Sequence, residues 1–246
     1  MVDMKDKVVI VTGASRGIGR ATALAFGAAG YRVVVHYHEQ KIKARAIAKK
    51  IGQEQSLVVQ SNVAHEIEVQ QLVEVVMGQW GRIDVLVNNA GAILSPGDWQ
   101  GDIQTWHKTI DINLTSAWLM IKHVAPVMQK QRKGVIINLV STVGILGSPY
   151  VAAYGSAKGG LITLTKAMAK ILAPNIRVNG IAPSNVMTDM TKGAGLDLIE
   201  QFRQATPLKR IAKPEELAKP IVFLASDNAS YITGEILVVD GGYSLK

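Results

Sequence analysis

Between Ser141 and Lys158 the chain reads S-T-V-G-I-L-G-S-P-Y-V-A-A-Y-G-S-A-K. A serine ends an apolar run, and Tyr154 stands four residues before Lys158. If the segment from about Val151 is helical, Tyr154 and Lys158 share a face, because residues four apart are neighbours on a helix. An ammonium beside a phenol favours the phenolate. That makes a proton donor usable near neutral pH. Taken singly, each residue has a plainer use. A tyrosine and a lysine at this spacing are ordinarily a surface pair, and a serine after a strand is ordinarily a turn residue. The chemistry therefore depends on what the rest of the chain brings to the pair.

Composition narrows the possibilities. The chain has 246 residues, and 48% of them are hydrophobic, which excludes a disordered polypeptide. We read residues 1–246 as a single domain, since no repeat, linker or low-complexity tract divides them. Cysteine is absent, so there is no disulfide framework and no thiolate chemistry. No metal site is assigned. The opening M-V-D-M-K-D-K-V-V-I lacks the apolar core of a signal peptide. No stretch reaches the roughly 18 uninterrupted apolar residues of a membrane span. The expectation is a soluble, cytoplasmic protein. The net charge of +8 comes from scattered residues. Its densest run, Lys41 to Lys50, reads as the solvated face of an amphipathic helix, so no nucleic-acid partner is expected. Positive charge also suits a phosphate-bearing cofactor or an acidic partner.

Strands alternate with helices along the whole chain. Lys7–Thr12, Arg32–His36, Leu57–Gln60, Ile83–Val87, Val135–Val140, Ile176–Ile181 and Ile236–Val239 are short β-branched runs that predict strands. Helices are predicted over Gly17–Ala29, the lysine-rich segment, Ile67–Trp80, a long region Ile103–Gln131 with a possible kink at Pro126, Val151–Leu172 and Glu215–Ala225. This pattern predicts an α/β fold, a doubly wound, largely parallel sheet with helices on both faces. Ser184–Thr206 shows no period and is expected to be irregular, as a lid or a surface excursion.

After the first strand comes T-G-A-S-R-G-I-G, Thr12 to Gly19. Its glycines let backbone turn sharply and approach a pyrophosphate at a helix N-terminus. The spacing differs from the G-x-G-x-x-G dinucleotide fingerprint. Together with Asn88-Asn89-Ala90-Gly91, Asn113 in D-I-N-L-T, the Ser141–Tyr154–Lys158 set and the ending I-T-G-E-I-L-V-V-D-G-G-Y, it resembles the short-chain dehydrogenase/reductase family over nearly the whole chain. In appearance the chain is most similar to that family's 3-oxoacyl-(acyl-carrier-protein) reductases. The resemblance implies a Rossmann-like sheet with strand order 3-2-1-4-5-6-7. It also implies a dinucleotide lying across the carboxyl ends of the strands.

The family's residues carry over by position. Gly13, Ser15, Arg16, Gly17, Ile18 and Gly19 would form the phosphate turn, and Asn89, Ala90 and Gly91 would line the nucleoside side. Asn62 and Val63 stand where members usually have Asp-Val against the adenine. Pro183, Val186 and Thr188 fall in the segment that grips the nicotinamide amide, with Ser184 in place of the usual Gly. An acidic residue ending the second strand would hold the ribose of NAD. Here that end reads His36-Tyr37-His38, with Glu39 following, so Tyr37, His38 and Arg16 point to NADP(H) with NAD(H) as the alternative. Tyr154 would donate a proton, Lys158 would lower the Tyr154 pKa and hold the nicotinamide ribose, and Ser141 would hold the substrate oxygen. Asn113 would hold a water linking Lys158 to solvent.

The implied activity is reduction of a ketone to a secondary alcohol, with a 3-oxoacyl thioester first and a small ketone, sugar or polyol as the alternative. A catalytically silent nucleotide sensor or nucleic-acid binder is the alternative from another class. Arg132 matches a basic position that meets acyl carrier protein in the family, but Pro174 stands at a second such position, so the carrier-protein partner is in question. Family members are commonly homotetramers. Substrate choice is expected from Ile93–Gln100, Val143–Tyr150 and Met187–Thr206, with Trp99, Trp106 and Tyr150 as pocket candidates.

Overall fold

The computed structural model describes residues 6–94, 100–193 and 195–245. Trp99 and the Ser95–Gly97 turn lie outside the described residues. The strands are β1 (Val8–Val11), β2 (Arg32–Tyr37), β3 (Ser56–Gln60), β4 (Val85–Asn88), β5 (Gly134–Leu139), β6 (Ile176–Pro183) and β7 (Ile236–Val239). They form one parallel sheet in the order β3-β2-β1-β4-β5-β6-β7. The order reverses between β1 and β4, which opens a crevice at the carboxyl ends of the central strands. Fold and strand order agree with the expectation.

The helices are α1 (Gly17–Ala28), α2 (Lys41–Ile51), α3 (Glu66–Trp80), α4 (Ile103–Ile110), α5 (Ser116–Gln131), α6 (Val143–Leu146), α7 (Ala152–Leu172), α8 (Asp189–Lys192), α9 (Leu196–Ala205) and α10 (Pro214–Ala225). Side chains alternate across the strands, so each strand feeds two cores. Val9, Val11, Val33, Val35, Val85 and Val87 face Phe26 of α1, Ile47 of α2 and Leu217 of α10. Val8, Ile10, Val34, Leu86 and Ile136 face Leu72 of α3, Met120 of α5 and Leu172 of α7. Burial on both sides explains why β1 is an unbroken apolar run rather than an alternating one.

Three regions differ from the sequence reading. The expected long helix over Ile103–Gln131 is two helices joined by a π-helical segment, Asp111–Thr115. The reason is Asn113, whose Nδ2 donates to the Thr109 carbonyl at 2.9 Å and so displaces the ordinary helical ladder. Pro126 lies inside α5 without ending it. The segment expected to be irregular carries α8, capped by the Thr188 hydroxyl, and α9. No residue of α9 is buried, so its apolar side chains join no core. The short α6, directly after Ser141, was also unforeseen.

Candidate active site

Four elements converge at the carboxyl end of β5. Ser141 follows that strand and is 7% exposed, and its Oγ accepts the Val143 amide at 3.2 Å. α7 carries Tyr154 and Lys158 on one face, with the Lys158 Nζ 5.5 Å from the Tyr154 ring centroid. The π-helical segment supplies Asn113. Its Nδ2 donates to Ala92 O at 2.8 Å, and its Oδ1 accepts the Ala92 amide at 3.2 Å. Gly91 is the pivot of the cluster. A β-carbon there would stand 2.7 Å from Asn113 Oδ1 and 3.4 Å from Lys158 Nζ. Only a residue without a side chain lets these two groups approach each other across the β4 loop. The structure thus brings together all four residues named from the sequence.

Their electrostatics differ from the expectation in one respect. Burial raises the Tyr154 pKa, and the contact that opposes it is a hydrogen bond with Ser141, not the Lys158 charge. Lys158 is 4% exposed and donates from Nζ to the Leu139 carbonyl at 2.7 Å. Its ammonium is aimed at the end of β5, and desolvation pulls its own pKa down to about 8. A second glycine, not singled out beforehand, sets its position. At Gly144 of α6 a β-carbon would lie 2.7 Å from the Lys158 carbonyl carbon, so α6 packs directly on the α7 backbone.

The glycine turn lies at the crevice. Gly13 and Gly17 have φ of +64° and +56°, a conformation that favours glycine. Gly19 is buried, and a β-carbon on it would stand 2.4 Å from both Asn89 Nδ2 and Gly13 O. Asn89 clamps the turn, donating from Nδ2 to Thr12 O at 2.8 Å and Gly13 O at 3.2 Å. Thr12 Oγ1 in turn accepts the Asn89 and Ala90 amides, both at 2.9 Å. The turn and the β4 loop are therefore one hydrogen-bonded unit. Ser15 is buried beside it, Ile18 packs on the core, and Arg16 is exposed.

Arg16 precedes α1 without a side-chain cap bond, and no acidic residue stands in the first turn of the helix. Its leading amides are free for an anion. Beside them a cavity of about 200 Å³ is lined by Ser15, Arg16, Gly17, Arg20, Lys43 and Lys192, among others. Lys43 pairs with Asp189 at 3.6 Å across this cavity. A β-carbon on Gly17 would meet the Thr188 methyl at 3.3 Å, so the segment after β6 faces the turn. Uncapped amides, positive φ and surplus basic charge fit a phosphate-bearing dinucleotide.

The remaining predicted positions are mixed. Tyr37 turns inward, is 4% exposed, and donates its hydroxyl to Gln60 Oε1 at 3.3 Å. The His38 side chain is largely exposed, 3.8 Å from Glu39. Asn62 Oδ1 accepts the Ala64 amide at 3.0 Å and shapes the loop before α3, while Val63 is buried. Pro183 ends β6, and Val186 is buried, bridging to Ala212. Ser184 is not among the positive-φ residues, so replacing the usual glycine brings no strain there. Its hydroxyl donates to Asp240 O at 3.1 Å, fastening the segment to the end of β7. Asn88 belongs to the core, where its Nδ2 donates to Asn138 Oδ1 at 2.9 Å.

A solved structure from Brucella melitensis, described as a short-chain dehydrogenase/reductase and glucose/ribitol dehydrogenase, matches with a TM-score of 0.93 and 32% identity, covering 99% of both chains. A family model described as Enoyl-(Acyl carrier protein) reductase matches residues 13–244. The chain belongs to the short-chain dehydrogenase/reductase family. Among curated relatives, this short-chain reductase is 44% identical to the 3-oxoacyl-(acyl-carrier-protein) reductase of Synechocystis sp., with 98% of each chain covered. It is 43% identical to the enzyme of the same name from Staphylococcus epidermidis, covering 96% of this chain and 98% of that one. The short-chain reductase is an oxidoreductase of ketone and alcohol groups that uses a nicotinamide cofactor. Among its described residues, no helix is long and apolar enough to cross a membrane.

Proposed function

We propose that the chain is an NADPH-dependent reductase of 3-oxoacyl thioesters. The observation that carries the reading is the meeting of Lys158 and Asn113 over Gly91, beside Ser141 and Tyr154, at the mouth of the phosphate turn. The names of the relatives support the substrate class. When bound, the cofactor supplies a hydride to the carbonyl carbon. Tyr154, protonated at neutral pH and with its pKa raised further by burial, releases its proton to the carbonyl oxygen. The Ser141 hydroxyl holds that oxygen as charge builds on it. Lys158 keeps a positive charge below its pKa of about 8 and steadies the phenolate that Tyr154 becomes. Asn113 fixes the β4 loop and the π-helical segment around the Lys158 ammonium.

The preference for NADPH over NADH rests on Arg16, Arg20, Lys43 and Lys192 around the cavity, opposed there by Asp189 alone. Carrier-bound substrate is part of the proposal, through Arg132 at the end of α5. Lys133 beside it is already paired with Asp227 at 3.0 Å. We extend the reading to a cytoplasmic homotetramer, which suits the exposed Trp118 of α5, Phe223 of α10 and Tyr231.

The test is NADPH consumption across acetoacetyl thioesters, carrier-bound 3-oxoacyl chains, enoyl thioesters, small ketones and sugars, repeated with NADH. Fastest turnover of 3-oxoacyl thioesters with NADPH is expected. Turnover confined to small ketones or sugars, or to enoyl thioesters, overturns the substrate, and a preference for NADH overturns the cofactor. Sedimentation of the same sample reads the assembly, and a monomer overturns the tetramer.

A further inference from the structure

One buried titratable side chain takes no part in the chemistry above. His36 lies in β2 one residue before its end and is 1% exposed. Its ring bridges two other strand ends. Nδ1 faces the Gly13 amide at 3.0 Å, and Nε2 faces the Ser61 carbonyl at 2.9 Å. The Gly13 amide only donates and the Ser61 carbonyl only accepts, so a single neutral tautomer, protonated at Nε2, satisfies both. Burial holds the ring in this neutral form, with its pKa pulled down to about 4; the hydrogen bond to the Ser61 carbonyl and the charge of Glu68 on α3 oppose that shift more weakly, and His38 just past β2 adds to it.

The position of the ring matters because of what it holds. Gly13 is the second residue past β1, with φ of +64°. Its carbonyl is taken by Asn89 Nδ2 and its amide by His36. The neighbouring Ala14 amide donates to the His36 carbonyl at 2.8 Å. One residue thus grips two successive peptides at the entrance of the phosphate turn, through its side chain and its backbone. On the far side the ring is braced by Ser61, whose amide bonds the Tyr37 carbonyl at 3.1 Å. A tilt of the Gly13 peptide would re-aim every amide from Ser15 to Gly19.

We propose that His36 is a positioning residue for the cofactor turn, setting nucleotide affinity through the Gly13 peptide while leaving the chemical step alone. The inference rests on the nucleotide-binding reading of the turn.

Two substitutions separate its two hydrogen bonds. His36→Asn keeps an acceptor near the place of Nδ1, and His36→Gln keeps a donor near the place of Nε2. NADPH and NADH dissociation constants are measured by fluorescence titration, with the melting temperature and kcat at saturating cofactor. His36→Asn is expected to bind within a few-fold of the unaltered chain. His36→Gln, which leaves the Gly13 amide unpaired, is expected to bind about tenfold or more weakly. The loss should be equal for both nucleotides, because the turn meets the pyrophosphate they share, and kcat at saturation should hold in both variants. Equal affinity of the two folded variants, or a change in melting temperature alone, overturns the inference. Should neither variant fold, nitrogen-15 NMR of the unaltered protein decides. A protected Nε2–H tautomer that responds to NADPH supports it, and a rapidly exchanging or Nδ1–H ring overturns it. An unaltered chain that binds neither nucleotide overturns the reading beneath, and this inference with it.

Discussion

At Gly19 a β-carbon would sit 2.4 Å from two neighbouring atoms, while at Tyr150, across the crevice, 75% of the side chain is exposed. The two ends of the cleft are built on opposite principles. The phosphate turn is held by Thr12, His36 and Asn89, each bonding backbone from another segment, and its Gly19 has no room for a side chain. The opposite side carries α6 and α9, with Ile145, Leu146 and Leu196 facing out and no buried residue in α9. In the proposed reading, backbone geometry recognises the cofactor and tolerates little change. Side chains on surface segments would then face the variable part of the substrate and tolerate much. Tyr154 and Lys158 stand between the two on α7, where Lys158 is tied to the end of β5.

This contrast can be tested in steps of decreasing size. Tyr154→Phe removes the proton donor without altering either end, so kcat should fall about 10²–10⁴-fold while NADPH affinity stays within a few-fold. Near-normal kcat in the folded variant, read by steady-state NADPH oxidation, would remove Tyr154 from its role.

Acid should weaken the cofactor end next. The His36 pKa drops from 6.5 unfolded to about 4 folded, so above pH 6.5 both states are neutral and nothing changes. As pH falls below that, the unfolded chain takes up a proton the folded ring refuses. Stability is lost progressively down to about pH 4, by about 3 kcal/mol in all. Urea midpoints at pH 7 and pH 4.5 measure this, and His36→Asn should show a smaller drop than the unaltered chain.

Gly19→Ala places a methyl against Asn89 and Gly13. It should cost about 1–3 kcal/mol of stability and weaken NADPH binding in parallel. Chemical denaturation paired with cofactor titration checks both, and an unchanged affinity would break the idea that packing at this turn serves the nucleotide. The smallest effect is expected across the cleft. Tyr150→Ala should leave the melting temperature within error and shift kcat/KM among ketones by less than about tenfold. A large loss of stability there would mean that the exposed side holds the fold after all.

Much of this was legible beforehand where the signal lies within a short stretch. The turn from Thr12 to Gly19, Asn89 to Gly91, and the Tyr154–Lys158 spacing are local motifs, and each lands where expected. Asn113 was legible as a residue but not as the cause of a π-helical segment, because helix periodicity does not register one displaced carbonyl. α9 was not foreseen although Leu198, Ile199, Phe202 and Ala205 recur at helical spacing; with no residue of it buried, that stripe belongs to no core. Tyr37 was expected at the cofactor but packs inward, since the side a strand residue faces follows from the sheet around it.

The order of apolar runs and turn glycines, read in one dimension, was enough for the doubly wound sheet and for naming the four residues that the fold brings together. Their electrostatic state was not contained in that order. The direction of the Lys158 ammonium, the upward shift of Tyr154 and the single tautomer of His36 depend on distances between segments far apart in the chain, and on how much water reaches them. Those quantities exist only once β1, β2, β4, β5 and α7 are packed together, because desolvation and hydrogen bonding act through space and not along the backbone.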